Sequence, residues 1–165
     1  MSFGVSKLTL GINKLFMKYS TLLKLMRFWP PFLGSGISVK EFTPDYKRIV
    51  VQMKLRFWNQ NYVGTHFGGS LYSMTDPFYM LMLLKLLGNK YIVWDKSASI
   101  RYKLPAQGIV NATFEITDDV LKKILADLEE SSKVEPEFHI PIVNNEGIVV
   151  AEVRKVIHIA RKKAK

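Results

Sequence analysis

The stretch Asn61-Tyr62-Val63-Gly64-Thr65-His66-Phe67-Gly68-Gly69-Ser70, followed by Asp76, holds the residues of this chain best suited to chemistry. A glycine pair ahead of a helix lets a ligand come close to the backbone. The free amides of the first helical turn then face that ligand and favour negative charge. Such a terminus suits a phosphate, or the oxyanion that develops when a carbonyl is attacked. The segment is not a Walker A loop, because Gly-Lys-Ser/Thr is missing. It is not a nucleophile elbow either, because Ser70 lacks the Gly-x-Ser-x-Gly frame. Asp76 has two readings. It suits an N-cap, with Pro77 at the first helical position. It also suits a carboxylate inside a longer helix that starts near residue 69 and kinks at Pro77. Asn61 suits a turn hydrogen bond, and the glycines also suit tight packing. His66, His139 and His158 share no ligand spacing, so no metal is expected. Asp118, Asp119, Asp127, Glu129 and Glu130 read as a solvated helix face.

The elements around this stretch follow from periodicity. Residues 5–28 predict an amphipathic helix, with Leu8, Ile12, Leu15, Phe16, Tyr19, Leu22, Leu23 and Met26 at spacings of three and four. Pro30-Pro31 stops it, and Gly34-Ser35-Gly36 predicts a loop. Its lysines, with Trp and Phe nearby, also suit the surface of an anionic membrane. Alternation predicts a half-buried strand over Lys47–Phe57, another over 97–104, a third over 109–116, and two more over 137–143 and 148–160 around the turn Asn144-Asn145-Glu146-Gly147. Thr117 opens a short helix. From Ser70 to Leu87 the residues are apolar nearly all round, which predicts a buried helix. One buried helix among five or six mostly antiparallel strands implies an α+β domain whose curved sheet wraps around it.

Composition bounds the function. The chain has 165 residues, 48% of them apolar, which is enough for one domain with a real core. The absence of cysteine excludes a disulfide scaffold, a thiolate metal site and a cysteine nucleophile. The net charge of +10 sits at the ends: residues 1–40 hold six Lys or Arg and no acid, and residues 141–165 hold six against two acids. Aromatic residues fall mostly on apolar faces and do not interleave with the cations, which argues against nucleic acid. No signal peptide and no span of about 20 apolar residues is visible, so a cytoplasmic protein is expected.

The spacing Asn61-x-x-Gly64-x-x-x-Gly68-Gly69, with Asp76 seven residues after the second glycine, resembles the hot-dog acyl-CoA thioesterases. The likeness is to their phenylacetate-pathway and 4-hydroxybenzoyl-CoA branch. The run Ile100-x-Tyr102-x-x-Pro105-Ala106, with Gly108 after it, resembles the third strand and turn of those enzymes. The Gly-Thr-x-Phe-Gly-Gly loop is most similar to a little-characterised, often tetrameric thioesterase-like group. The resemblance implies a hot-dog domain over residues 36–165, preceded by an added helix and linker over 1–35. It implies that the Gly68 amide polarises a thioester carbonyl and that Asp76 acts as general base on water, or as nucleophile. It implies that Asn61 orients the thioester or the water, and that Gly69, Phe67, His66, Thr65 and Arg101 contact substrate. Coenzyme A would enter only as part of the substrate, with no separate cofactor, and Arg101, Lys103 and the tail from Arg161 would draw its phosphates. Active sites of this family lie between protomers, so a homodimer or homotetramer is expected. Many relatives carry His at the position of Phe67; here His66 precedes it by one residue, and that shift is expected to point it elsewhere. Without that donor, a non-catalytic acyl-binding module is the competing reading, since Met and Phe repack around varied apolar ligands.

Overall fold

A computed structural model describes residues 18–162. Among the described residues, seven antiparallel strands form one sheet: β1 (Ile37–Phe42), β2 (Arg48–Lys54), β3 (Tyr91–Tyr102), β4 (Ile109–Glu115), β5 (Lys133–Val134), β6 (Glu137–Asn144) and β7 (Val149–Arg161). The order is β1-β2-β4-β6-β7-β3, with β5 pairing β7 on the edge opposite β3, in line with β6. Period-2 burial drives the longest strands. In β7 Ala151, Val153, Lys155, Ile157 and Ile159 are buried, while Glu152 and Arg154 face solvent. The register of β3 on β7 shifts between Asp95 and Ser97, a bulge that places Val93 and Asp95 in one phase and Ala98 and Ile100 in the other.

The sheet encloses the helical segment that starts at Gly68. Helix α3 (Gly68–Ser73) and helix α4 (Phe78–Leu87) are separated by a turn over 74–77. Phe78, Tyr79, Leu81, Met82 and Leu83 of α4 are buried, and Met80, Leu84, Leu86 and Leu87 pack partly against the same core. Phe78 packs on Phe114, centroids 5.0 Å apart, and Tyr79 stacks on Phe138 at 4.0 Å. This is a hot-dog fold: an antiparallel sheet wrapped around a central helix. Helix α5 (Asp118–Glu130) buries Ile124 and Leu128 and exposes its acids. Its N-cap, Thr117, accepts from the Val120 amide.

Four expectations change. The described part of 5–28 is a short helix, α1 (Tyr19–Leu25), with a 3-10 turn over Met26–Phe28; residues 5–17 lie outside the described residues. Pro30-Pro31 does not merely stop that helix. It opens another, α2 (Pro30–Ser35), because proline's missing N–H costs nothing in a first turn. The loop expected at 34–36 shrinks to Gly36, whose φ of +72° ends α2. Leu23, Met26 and Phe32 seat these helices on the core. Finally, β2 stops at Lys54 and not at Phe57: the Asn59 side chain accepts from the Arg56 amide and donates to Lys54 and Ser35 carbonyls, and Phe57 is 82% exposed.

Candidate active site

The two motif stretches meet across one cavity of about 390 Å³. Asn61, Thr65, His66, Gly68 and Leu71 line it from one side of the sequence, and Tyr102 to Ala106 from the other. The loop reaches the sheet through its backbone and one side chain. The His66 amide donates to the Ala106 carbonyl at 2.9 Å, and His66 Nε2–H donates to the Gly108 carbonyl at 3.1 Å. Burial pushes the His66 ring down in pKa, against the opposing pull of that carbonyl, so the imidazole is neutral near pH 7. His66, 3% exposed, is part of the cavity wall, and its ring turns to the Gly108 carbonyl. Phe67, 58% exposed, is absent from that wall.

The loop is held by Asn61. Its Oδ1 accepts from the amides of Val63 (3.1 Å) and Thr65 (3.0 Å), and its Nδ2 donates to Thr65 Oγ1 (2.8 Å) and the His66 carbonyl (3.4 Å). Both donors and both acceptor sites of the amide are therefore engaged within the loop. Of the two readings open for Asn61, the geometry supplies the turn.

Glycine at the start of α3 leaves room for two neighbouring rings. A Cβ on Gly68 would come within 2.9 Å of Tyr102 Oη, and one on Gly69 within 2.5 Å of the Phe67 ring. The amides of Gly68 and Gly69 have no backbone acceptor among the described residues, as expected for a first helical turn. Gly69 and Arg101 are not part of the cavity wall, and Arg101 is exposed. Lys103 is part of it, with its Nζ 3.1 Å from Glu152 Oε2.

Asp76 lies elsewhere. It occupies the turn between α3 and α4, eight residues beyond Gly68, and is not part of the cavity wall. It does not cap α4, whose N-cap position is Pro77 and carries no side-chain cap bond. The turn is wider than a proline kink: Thr75 donates back to the Tyr72 carbonyl, and Met74 is fully buried. The Asp76 carboxyl instead reaches Lys155, with Nζ 2.7 Å from Oδ1. Lys155 also lies 3.1 Å from Asp95 Oδ2. Lys155 is 2% exposed, Asp95 25% and Asp76 47% by side chain. The two carboxyls share one cation, and their environments push them apart. Burial, reinforced by the neighbouring Asp76 carboxyl, raises Asp95 to about 6 despite Lys155. Burial would also raise Asp76, but its neighbours Asp95 and Lys155 outweigh it and hold Asp76 below the usual carboxylate range.

Asp95 and Lys155 were invisible to motif reading. The signal for Lys155 is a charge in the apolar phase of β7, between Val153 and Ile157. Asp95 is hidden by the bulge, which moves it out of phase with Ala98 and Ile100.

Among the described residues no cluster of three His, Asp or Glu could hold a metal, and no helix is long and apolar enough to cross a membrane.

Comparison with known proteins supports the fold. A Pseudomonas aeruginosa protein of unknown function, noted as a probable thioesterase, superposes with a TM-score of 0.75 at 16% identity, covering 88% of this chain and 97% of its own. A Chlorobaculum tepidum protein of unknown function gives 0.70 at 16% identity, covering 87% and 94%. A Haemophilus influenzae thioesterase gives 0.62 at 14% identity, covering 88% and 92%. No curated protein matches the sequence. The family described as Domain of unknown function (DUF4442) matches residues 19–159, which span both motif stretches and the Asp76–Asp95–Lys155 cluster. The chain belongs to that family, and it carries the hot-dog fold of thioesterase-like proteins.

Proposed function

We propose that this protein hydrolyses acyl-CoA thioesters at a site completed by a second copy of the chain. The observation that carries the reading is Asp76: a half-exposed carboxylate paired with a buried lysine, at the sequence position the thioesterase resemblance implies. Water attacks the carbonyl carbon while Asp76 takes its proton. The carbonyl π pair moves to oxygen, where the Gly68 amide stabilises it; one such donor is worth about 3–4 kcal/mol in acyl transfer. When the oxygen pair returns, the carbon–sulfur bond breaks, its electrons leave on sulfur, and Asp76 returns the proton to the thiolate. Acid and free coenzyme A result.

The separation between Asp76 and the Gly68 cavity supports the oligomer. No carboxylate lines that cavity, so Asp76 of one copy would serve the cavity of its partner in a homodimer or homotetramer. Lys103 on the cavity wall and exposed Arg101 on β3 would draw the phosphates of coenzyme A by charge.

The same separation also suits a second reading, an acyl-binding module, because Leu71, Leu104, Pro105 and Ala106 make an apolar wall without a carboxylate. A panel of short, long and aromatic acyl-CoAs, assayed for thiol release and for binding, separates the two. Turnover supports hydrolysis; binding of intact acyl-CoA without thiol release replaces it with the module.

A further inference from the structure

The least common feature of the core is a lysine on an inward-facing position of β7, closed off from solvent and bracketed by two aspartates from different elements. A buried cation is expensive unless paired, and an apolar residue at position 155 would serve packing as well or better. A charge is retained here beside the one carboxylate that hydrolysis would use. The three groups come from the turn before α4, from the bulge of β3 and from the middle of β7, so the sheet and the helical segment must be assembled for them to meet.

We propose that Lys155 and Asp95 are positioning residues for Asp76: Lys155 pins Asp76 Oδ1 as an anion, and the proton on Asp95 governs how freely Asp76 can act as a base. The inference rests on the hydrolase reading above. While Asp95 is neutral, the Lys155 charge serves Asp76 alone and lowers its basicity. When Asp95 ionises, Lys155 alone stands between two anions, and Asp76 takes a proton more readily. Neighbouring charges do not intrude. On the outer face of the same two strands, Lys96 pairs with Glu135, and His158 Nδ1 lies 2.9 Å from the same carboxylate. From β6, His139 pairs with Glu137, and Arg154 of β7 faces Glu137 at 4.0 Å, again on the outside.

The test is the pH dependence of kcat/KM for acyl-CoA hydrolysis, measured on wild type, Asp95→Asn and Lys155→Met. Wild type should rise about tenfold per pH unit in the acid limb and level off above pH 6, where Asp95 has ionised. Asp95→Asn cannot ionise at that position, so its profile, scaled to its own plateau, should be about tenfold higher than wild type at pH 5. Profiles of wild type and Asp95→Asn that superimpose would overturn the proposal and leave an ion cluster that only holds the fold. Carbon-13 NMR titration of labelled aspartates supplies a readout that needs no turnover. The step near pH 6 should vanish in Asp95→Asn, and the lower-titrating carboxyl should move up in Lys155→Met. If Lys155→Met does not fold, the Asp95→Asn titration decides alone. A protein that titrates this way but hydrolyses no acyl-CoA overturns the hydrolase reading while the carboxylate coupling stands. An active hydrolase lacking the step near pH 6 overturns the coupling and leaves hydrolysis standing.

Discussion

Replacing Asp95 by asparagine should stabilise the protein at neutral pH, and by an amount that follows from the cluster. Asp95 titrates near 6 in the fold against an ordinary value of 3.8, raised chiefly by burial and further by Asp76. A raised carboxyl binds its proton more tightly when folded, so its favourable contribution is complete below pH 3.8 and is lost as pH climbs through 6. A shift of about two units corresponds to about 3 kcal/mol. The substituted amide stays neutral throughout and avoids that loss, while its carbonyl can still accept from Lys155. The stability of Asp95→Asn relative to wild type should therefore increase by about 2–3 kcal/mol between pH 4 and pH 8, with most of the change between 4 and 6. Asp76 runs the other way: its lowered carboxyl contributes stability above its ordinary value of 3.8 that is lost as pH falls further, outside this window. Urea unfolding at half-unit pH steps reads the difference as a midpoint gap that widens by about 1 M, taking about 2 kcal/mol/M for the slope. A gap that stays constant from pH 4 to pH 8 would refute the account of the cluster.

Two further outcomes follow from the cavity loop. Asn61→Ala removes four hydrogen bonds that close residues 61–66; the loss should reach about 1–3 kcal/mol in unfolding experiments, with faster proteolysis between Asn61 and His66. Unchanged cleavage there would show that the loop is held by its backbone alone. Gly68→Ala drives a methyl to within 2.9 Å of Tyr102 Oη and should displace that ring across the cavity, weakening acyl-CoA binding about tenfold. Adding Tyr102→Ala should recover part of the loss if the clash is the cause, and none if the Gly68 backbone itself has moved.

Most of the sheet was legible because its strands obey a simple period. Ile49, Val51 and Met53 in β2, and Val153, Ile157 and Ile159 in β7, alternate with polar residues and are buried as that alternation requires. The buried helix was legible from its lack of a polar face, with Phe78 to Leu83 almost wholly enclosed. The failures occurred where local chemistry overrides period. Asn59 ends β2 by binding three backbone groups around the strand end, and no alternation announces that. Pro30-Pro31 serves a helix start as readily as a stop, and sequence alone does not choose between them.

The candidate site was half legible. The loop from Asn61 to Gly69 and the run from Tyr102 to Ala106 do share a cavity, although they lie about 40 residues apart. What the motifs did not show is that Asp76 leaves that cavity for Lys155. Two aspartates and a lysine scattered over about 80 positions have no spacing to recognise; only the register of β3 on β7 and the turn before α4 bring them together. A charged residue in the inward phase of a strand was the available clue, and Lys155 stands in that phase.

The central claim is that Asp76 takes a proton from water during thioester hydrolysis. The most direct measurement is thiol release from acyl-CoA by wild type beside Asp76→Asn, at pH 8 and at matched folding. Turnover by wild type should fall at least about 100-fold in the variant, the range expected when a general base is lost. Equal turnover by the two proteins would contradict the claim.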